Sequence, residues 1–510
     1  MFRIRILLLL LAFAASGCAV NPVTGKRELT LVSEAQEISL GTENYAFMQQ
    51  AGGGDYDTDP ELTAYVQGIG SQLAAVSDRA LPYEFTVLNS SVPNAWALPG
   101  GKIAINRGLL TELGSEAELA AVLGHEIVHA AARHSAQQME RGLLLQAAVL
   151  GTAIMSSDSD YAQLAVGGAN VGAQLINQAY GRGAELEADE YGMRYMAAAG
   201  YDPRGAVSLQ ETFVRLSEGR RSDWLSGLFA SHPPSQDRVV ANRQTAAALP
   251  AGGILGEDRY REAMLTTRER KPAYDAYDEG RKALAEKNHA LALQKAEEAI
   301  SLFPGEAHFY GLRGDARYVD RKYDMAVDNY DIAIRRRGDF FQYYLQRGLA
   351  NDKLGNDDAA VSDLTRSNEL FPTAVAHEAL GGIAARRGQK SLAIEHYSLV
   401  AGGSGPVAES ARRSLVRLDL ADNPSRYLQL RCFQDNNGNL AVSIGNATPV
   451  AVTGIRFVVE YLEEGRPQQT VRALSGRVPA GQSVSVSTGI GPYGPGVGCP
   501  ARIVAARVAE

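Results

Sequence analysis

The sequence predicts a multidomain fold: an α+β domain first, an all-α helical-repeat solenoid second and a small C-terminal β-sandwich third. Three observations carry that prediction. The 510 residues suffice for about three domains at roughly 150 residues each. Glycines and alanines recur in phase between Gly280 and Ala393, and after Pro424 the chain turns to short β-branched and aromatic runs. Hydrophobic residues make up 45% and charged residues 21%, a globular balance that excludes a fibrous or disordered chain. The formal charge of −8 argues against a nucleic-acid-binding surface, so no nucleic-acid partner is expected. No run reaches the roughly 18 apolar residues of a spanning helix.

Arg3 and Arg5 precede the apolar run Ile6 to Ala15, and small residues follow up to Cys18. A basic start, a short apolar stretch and a small-residue zone read as a secretory signal peptide over residues 1–17. Ala15-Ser16-Gly17-Cys18 resembles a bacterial lipobox, with Ala15 standing where Leu is usual. The expectation is a lipid on Cys18 that attaches the protein to a membrane; ordinary cleavage near Ala14 is the alternative. Export would place Cys432 and Cys499 in an oxidising compartment, where they are expected to pair. Such a bridge is worth on the order of 4 kcal/mol in the chain-entropy model; two free thiols are the alternative.

In the first domain, residues 18–246, Phe85–Leu88 and Lys102–Ile105 read as strands, the second after the Pro99-Gly100-Gly101 turn signal. Ser115 with Glu118 three residues on reads as a capping box. It opens a helix through Leu119, Val122, Leu123, Ile127 and Val128. Residues 247–269, with Pro250-Ala251-Gly252-Gly253, read as a linker. Over residues 270–420, Gly280, Gly314, Gly348 and Gly381 and, twelve on, Ala292, Ala326, Ala360 and Ala393 mark four units. Tyr330 and Tyr397 stand four beyond their alanines, and Pro304 and Pro372 close the first and third units. This pattern resembles tetratricopeptide repeats, paired helices that stack on a shared core. From residue 425 to 510, runs at Tyr427–Phe433, Asn439–Ile444, Val450–Tyr461, Val484–Thr488 and Ile503–Val508 suggest the sandwich.

The chemistry concentrates in Gly124-His125-Glu126-Ile127-Val128-His129, inside the apolar-periodic helix. His125 and His129 are four apart, so both imidazoles leave one helix face and can grip one metal ion. Glu126, one residue along, can face a water without taking a ligand position: this is the His-Glu-x-x-His zinc pattern with Glu as general base. A third ligand must converge, and the candidates are Glu185 and Asp189, also four apart. One carboxylate can bind zinc while the other accepts a hydrogen bond from a ligand imidazole. His134, five beyond His129, would lie about 140° off the ligand face of an unbroken helix and is expected to be structural.

Together with Asn94-Ala95-Trp96-Ala97-Leu98-Pro99-Gly100-Gly101, Glu118-Leu119-Ala120 and Ser231-His232-Pro233-Pro234 with Arg238, these motifs resemble the HtpX/BepA-type zinc metallopeptidases. That gluzincin family includes the CaaX prenyl proteases. The resemblance covers residues 21 to about 245 and implies a zincin-type metalloprotease domain. In layout it is closest to the periplasmic members that carry tetratricopeptide repeats and serve β-barrel assembly. Their layout lacks the C-terminal β-region found here, and a Phe usually stands where Trp96 does.

The resemblance further implies one Zn2+ per chain, held by His125, His129 and Glu185, with Glu126 as general base and Asp189 as orienting carboxylate. His232 is implied either to stabilise the transition state or to act as a fourth ligand that holds the enzyme latent. Arg238 would support the same region through a carboxylate; plain surface charge is the alternative. Lys102, Ile103, Ala104, Ile105 and Asn106 are expected to form an edge strand that binds extended substrate. The expected function is hydrolysis of misfolded or stalled exported and outer-membrane proteins in a Gram-negative envelope, as a periplasmic protein lipid-anchored to the outer membrane. The repeats would recruit substrate or the assembly machinery. The alternative is a largely latent protease acting as an assembly chaperone or scaffold. Gly142–Met155 is apolar and Tyr161–Tyr180 continues similarly; the fourteen residues of the first, with Gln146 among them, are too short to span, so a helical lid over the cleft is expected, with a membrane-inserted hairpin as the alternative.

Overall fold

The structure is a computed structural model that describes residues 18–138, 180–218, 229, 232–463, 466–494 and 499–509. The signal peptide and nearly all of the expected lid lie outside the described residues. None of the described helices is long and apolar enough to cross a membrane. The chain divides into two compact units at Phe340.

The first unit opens with an antiparallel hairpin of β1 (Cys18–Val20) and β2 (Arg27–Leu29), then α1 (Glu34–Ala51) and α2 (Pro60–Ala74). A three-stranded sheet follows from β3 (Glu84–Leu88), β4 (Ala95–Leu98) and β5 (Lys102–Asn106). Its order is β3-β5-β4, with β3 parallel and β4 antiparallel to β5. This corrects the expected substrate edge. Lys102, Ile103, Ala104, Ile105 and Asn106 lie in the central strand, whose backbone is paired on both sides. Gly100 and Gly101 both take positive φ (81° and 88°), so the chain folds back and leaves β4 outermost. The Ala-rich run Ala95-Trp96-Ala97-Leu98 carries little β-propensity, which hid this strand.

After α3 (Arg107–Glu112), α4 (Glu116–Ala131) crosses the core. Every one of its residues except Glu118 is buried. Leu119, Leu123 and Ile127 share one apolar cluster with Val87, Ile103 and Ile105 of the sheet and with Val66 and Leu73 of α2. Ser115 caps α4 by accepting the Glu118 N–H at 3.1 Å. The Glu118 carboxylate turns to the Gly114 N–H (2.6 Å) instead of completing the expected box. α5 (Arg182–Ala198), α6 (Arg204–Glu218) and α7 (Gln236–Ala248) pack around α4.

Residues 247–269 are not a loose linker. Ile254 bridges to Tyr201 and Leu255 O accepts the Ala117 N–H, before α8 (Glu257–Ala263) lays Tyr260 and Met264 into the same core. The Tyr260 hydroxyl donates to Leu110 O at 2.6 Å. Gly252 and Gly253 do take positive φ, but the aromatic beyond them anchors the segment.

The first two repeats belong to this unit: α9 (Leu265–Ala285) with α10 (His289–Leu302), and α11 (Ala307–Val319) with α12 (Tyr323–Arg336). A Cβ on Gly280 would meet Leu312 at 2.7 Å and one on Gly314 would meet Tyr330 at 2.5 Å, so the repeat glycines exist for close packing. Buried polar groups seat these repeats on the preceding α+β domain. Glu306 accepts from Tyr274 (2.6 Å) and Asn89 (2.9 Å), and His308 Nε2 donates to Gly53 O at 2.9 Å.

The second unit begins with α13 (Phe341–Leu354), α14 (Asp357–Leu370), α15 (Ala374–Arg386) and α16 (Lys390–Ala401). Gly348 against Leu364 and Gly381 against Tyr397 repeat the same packing. α17 (Gly405–Asp419) and α18 (Pro424–Tyr427) lead into seven strands: β6 (Leu428–Gln434), β7 (Leu440–Asn446), β8 (Val452–Glu463), β9 (Arg466–Ala473), β10 (Arg477–Val478), β11 (Ser483–Ser487) and β12 (Ala501–Val508). Two sheets result, β11-β7-β6 and β10-β8-β12 with β9 on β8. Val442 and Ile444 of one meet Phe457, Val459 and Ile503 of the other in a shared core. A Cys432–Cys499 disulfide ties β6 to the segment before β12.

Candidate metal centre

Three parts of the fold converge on one buried point: α4 brings His125, Glu126 and His129, α5 brings Glu185 and Asp189, and α7 with the segment before it brings Arg238 and His232. α4 and α5 come together at a pair of glycines. A Cβ on Gly192 would stand 3.0 Å from Gly124 C and His125 N, so side chains there would hold the helices apart. The close approach puts both α5 carboxylates within reach of the imidazoles.

Donor atoms of His125, His129, Glu185 and His232 all lie within 4.8 Å of one another. His125 Nε2 is 3.0 Å from His129 Nε2 and 3.2 Å from His232 Nδ1. Glu185 Oε1 is 3.0 Å from His232 Nδ1 and 3.4 Å from His129 Nε2. Three imidazole nitrogens and a carboxylate oxygen aimed at one point are a donor set that suits zinc.

Glu126 Oε2 is buried with no hydrogen-bond partner among the described residues, an orphaned polar atom beside the donor cluster. Its Oε1 is 3.5 Å from His232 Nε2. The residues present therefore fit the metal.

His125 Nδ1 donates to Asp189 Oδ1 at 2.9 Å, which turns Nε2 toward the donor cluster. Arg238 is no surface charge. It is buried and holds Asp189 by two bonds, Nε to Oδ2 (2.8 Å) and Nη2 to Oδ1 (2.7 Å), while Nη1 reaches Glu185 Oε2 at 2.8 Å. Burial pushes the Asp189 carboxyl up, but the Arg238 guanidinium outweighs it and holds it below the usual range. Burial likewise pushes Glu185 up, and the neighbouring His232 and His125 bring it well below normal. Burial raises Glu126 despite the opposing pull of His232 and His125. Burial keeps His129 neutral, with a lone pair to give.

Two residues escaped the sequence reading. Tyr180 stacks on the His129 ring, centroids 3.8 Å apart, and its hydroxyl lies 2.7 Å from Ser135 Oγ. His134, expected to point away, sits with Nδ1 2.9 Å from His129 Nδ1. The 140° argument fails because the helix stops: Arg133 takes φ +64° and swings His134 back. Arg133 is held there by Glu37, by Val32 O and by Thr30 Oγ1.

The site lies beside a cleft lined by apolar side chains, including Val122, Met193, Leu209 and Phe213, with Ala95 of β4 at its wall. Comparison with known proteins places these residues in a family. Residues 60–246 match the model of peptidase family M48. A β-barrel assembly-enhancing protease of Yersinia pestis is 31% identical over 452 residues, covering 80% of this chain and 91% of the relative. The chain belongs to this M48 family of zinc metallopeptidases.

A putative β-barrel assembly-enhancing protease of Vibrio cholerae is 33% identical over 199 residues, 38% of this chain. The mitochondrial metalloendopeptidase OMA1 of Arabidopsis thaliana is 35% identical over 161 residues, 31% of this chain. The chain spans only 40% and 30% of the lengths of those two relatives. The tetratricopeptide protein YrrB, a solved structure, covers 31% of this chain at 20% identity with a TM-score of 0.27.

Proposed function

We propose that this chain is a zinc-dependent endopeptidase that cleaves misfolded or stalled exported and outer-membrane proteins in the bacterial envelope, and that His232 holds it latent at rest. The observation that carries the reading is the cluster of four converging donors with the unpartnered Glu126 carboxylate beside it. His125, His129 and Glu185 would hold the zinc, which when bound supplies Lewis acidity to a water and to a peptide carbonyl. Glu126 takes the proton of the attacking water at Oε2 and returns it to the departing amine. Asp189 and Arg238 keep His125 and Glu185 aimed. The outer edge of β4, rather than β5, is the place for an extended substrate segment to add as a further strand.

His232 Nδ1 stands at the same spacing from the other donors as they do from each other, which supports the fourth-ligand role over transition-state stabilisation. Its test is His232→Ala against an unfolded model protein. Basal cleavage should rise; a fall would make His232 a stabiliser of the transition state.

The relatives named for β-barrel assembly support envelope quality control as the setting. The helical repeats offer the surface that recruits substrate or the assembly machinery. Cys18 carries the lipid in this reading, so Cys18→Ala should release the protein from membranes, and unchanged fractionation would remove the anchor.

A further inference from the structure

The two histidines of the zinc pattern are oriented by different means. His125 leans on a carboxylate, Asp189, whereas His129 leans on another imidazole. Beyond that imidazole the chain of contacts continues: His134 Nε2 is 3.2 Å from Glu187 Oε1, and Glu187 Oε2 is 3.4 Å from Lys26 Nζ.

We propose that His134 and Glu187 are positioning residues that set the tautomer and orientation of His129 for metal binding. The inference rests on the zinc reading above. An ionised carboxylate only accepts hydrogen bonds, so His134 must carry its proton on Nε2 and give it to Glu187. A histidine that gives its Nε2 lone pair to a metal carries its proton on Nδ1, and His134 Nδ1 is placed to accept it. His129 Nδ1 must therefore be the donor across the 2.9 Å contact, which leaves the His129 Nε2 lone pair directed at His125, Glu185 and the metal position.

Three features of the fold serve this relay. Arg133 breaks the helix and returns His134 toward the site. Glu187 lies on α5 between Glu185 and Asp189, on the face that points away from the metal toward the β1–β2 hairpin. Tyr180, stacked on His129, prevents the ring from rotating out of the contact. Lys26, in the hairpin that begins at Cys18, ends the chain at the surface.

The test is zinc affinity of the full chain by competition with a chromophoric chelator, alongside melting of the metal-free protein. His134→Leu removes the acceptor at similar bulk and should weaken zinc about 10- to 100-fold. His134→Gln can still accept from His129 and donate to Glu187, and should stay within about threefold of wild type. Should His134→Leu melt early, Glu187→Ala carries the test: its site is only half-buried, and a loss of about three- to tenfold is expected. Wild-type zinc affinity in both His134→Leu and Glu187→Ala would overturn the proposal. So would His134→Gln losing as much as His134→Leu, because shape alone would then be at work. If the wild-type chain bound no zinc, the metal reading itself would fall, and the two failures are distinct.

Discussion

Replacing Arg238 by Met would expose how the centre is held together. The guanidinium is buried and makes three contacts of 2.7–2.8 Å, two to Asp189 and one to Glu185. Met fills most of the volume but leaves two buried carboxylates without their cation. Removing one partner of a buried pair costs about 3–5 kcal/mol, because the remaining charge is stranded. For a unit this large, that is a fall of roughly 6–10 °C in melting temperature, at about 2 °C per kcal/mol.

Calorimetry of the full chain with a chelator present reads this directly. Adding zinc should shrink the difference, since the metal neutralises Glu185 in place of Arg238. Asp189→Asn in the Arg238→Met background should recover at least half, because the amide oxygen still accepts from His125 without a charge to strand. A fall below about 2 °C in the metal-free protein would refute the reasoning and show that the carboxylates do not depend on Arg238.

Other consequences follow from packing and burial. Gly192→Ala sets a Cβ 3.0 Å from the α4 backbone, so it should part the two helices and lower zinc affinity at least several-fold; an unchanged affinity would mean the crossing tolerates the methyl. His308 is buried and its pKa is held down at about 4 by burial. The unfolded chain takes up that proton near pH 6.5, the folded one only near pH 4, so stability is present above 6.5 and falls as the pH drops through that window. Between pH 7 and pH 5 the loss should be about 2 kcal/mol in urea titrations, and His308→Gln, which can still donate to Gly53 O, should abolish it. The Cys432–Cys499 bridge spans 67 residues, and reducing it should destabilise the β-sandwich by about 4 kcal/mol with the catalytic unit's melting unchanged.

The parts legible in the sequence were those set by strict local spacing. Helical periodicity alone brings His125 and His129 to one face, and the 33–34-residue recurrence of Gly and Ala reports the close helix contacts now seen at Gly314–Tyr330 and Gly381–Tyr397. The parts that stayed hidden depend on a single backbone break or on tertiary neighbours. His134 was placed by extending a helix past Arg133, where one left-handed residue redirects the chain. The edge strand was misassigned because β4 is held by its hairpin and its place beside the α4 helix rather than by propensity. Residues 247–269 looked like a linker because the turn residues at 250–253 outweigh the anchoring Tyr260 in composition. Arg238 could be read either as surface charge or as a carboxylate partner, and only the burial of Asp189 on a helix 49 positions earlier decides it.

The most direct test is cleavage of an unfolded model protein by the zinc-loaded chain spanning residues 19–510, beside Glu126→Gln, with each also made in the unlatched His232→Ala background and metal content measured on all. The account predicts that all bind one zinc and that cleavage in the unlatched background, stopped by a chelator, falls at least about 100-fold with Glu126→Gln. Cleavage that survives Glu126→Gln, or that proceeds equally without metal, would contradict it.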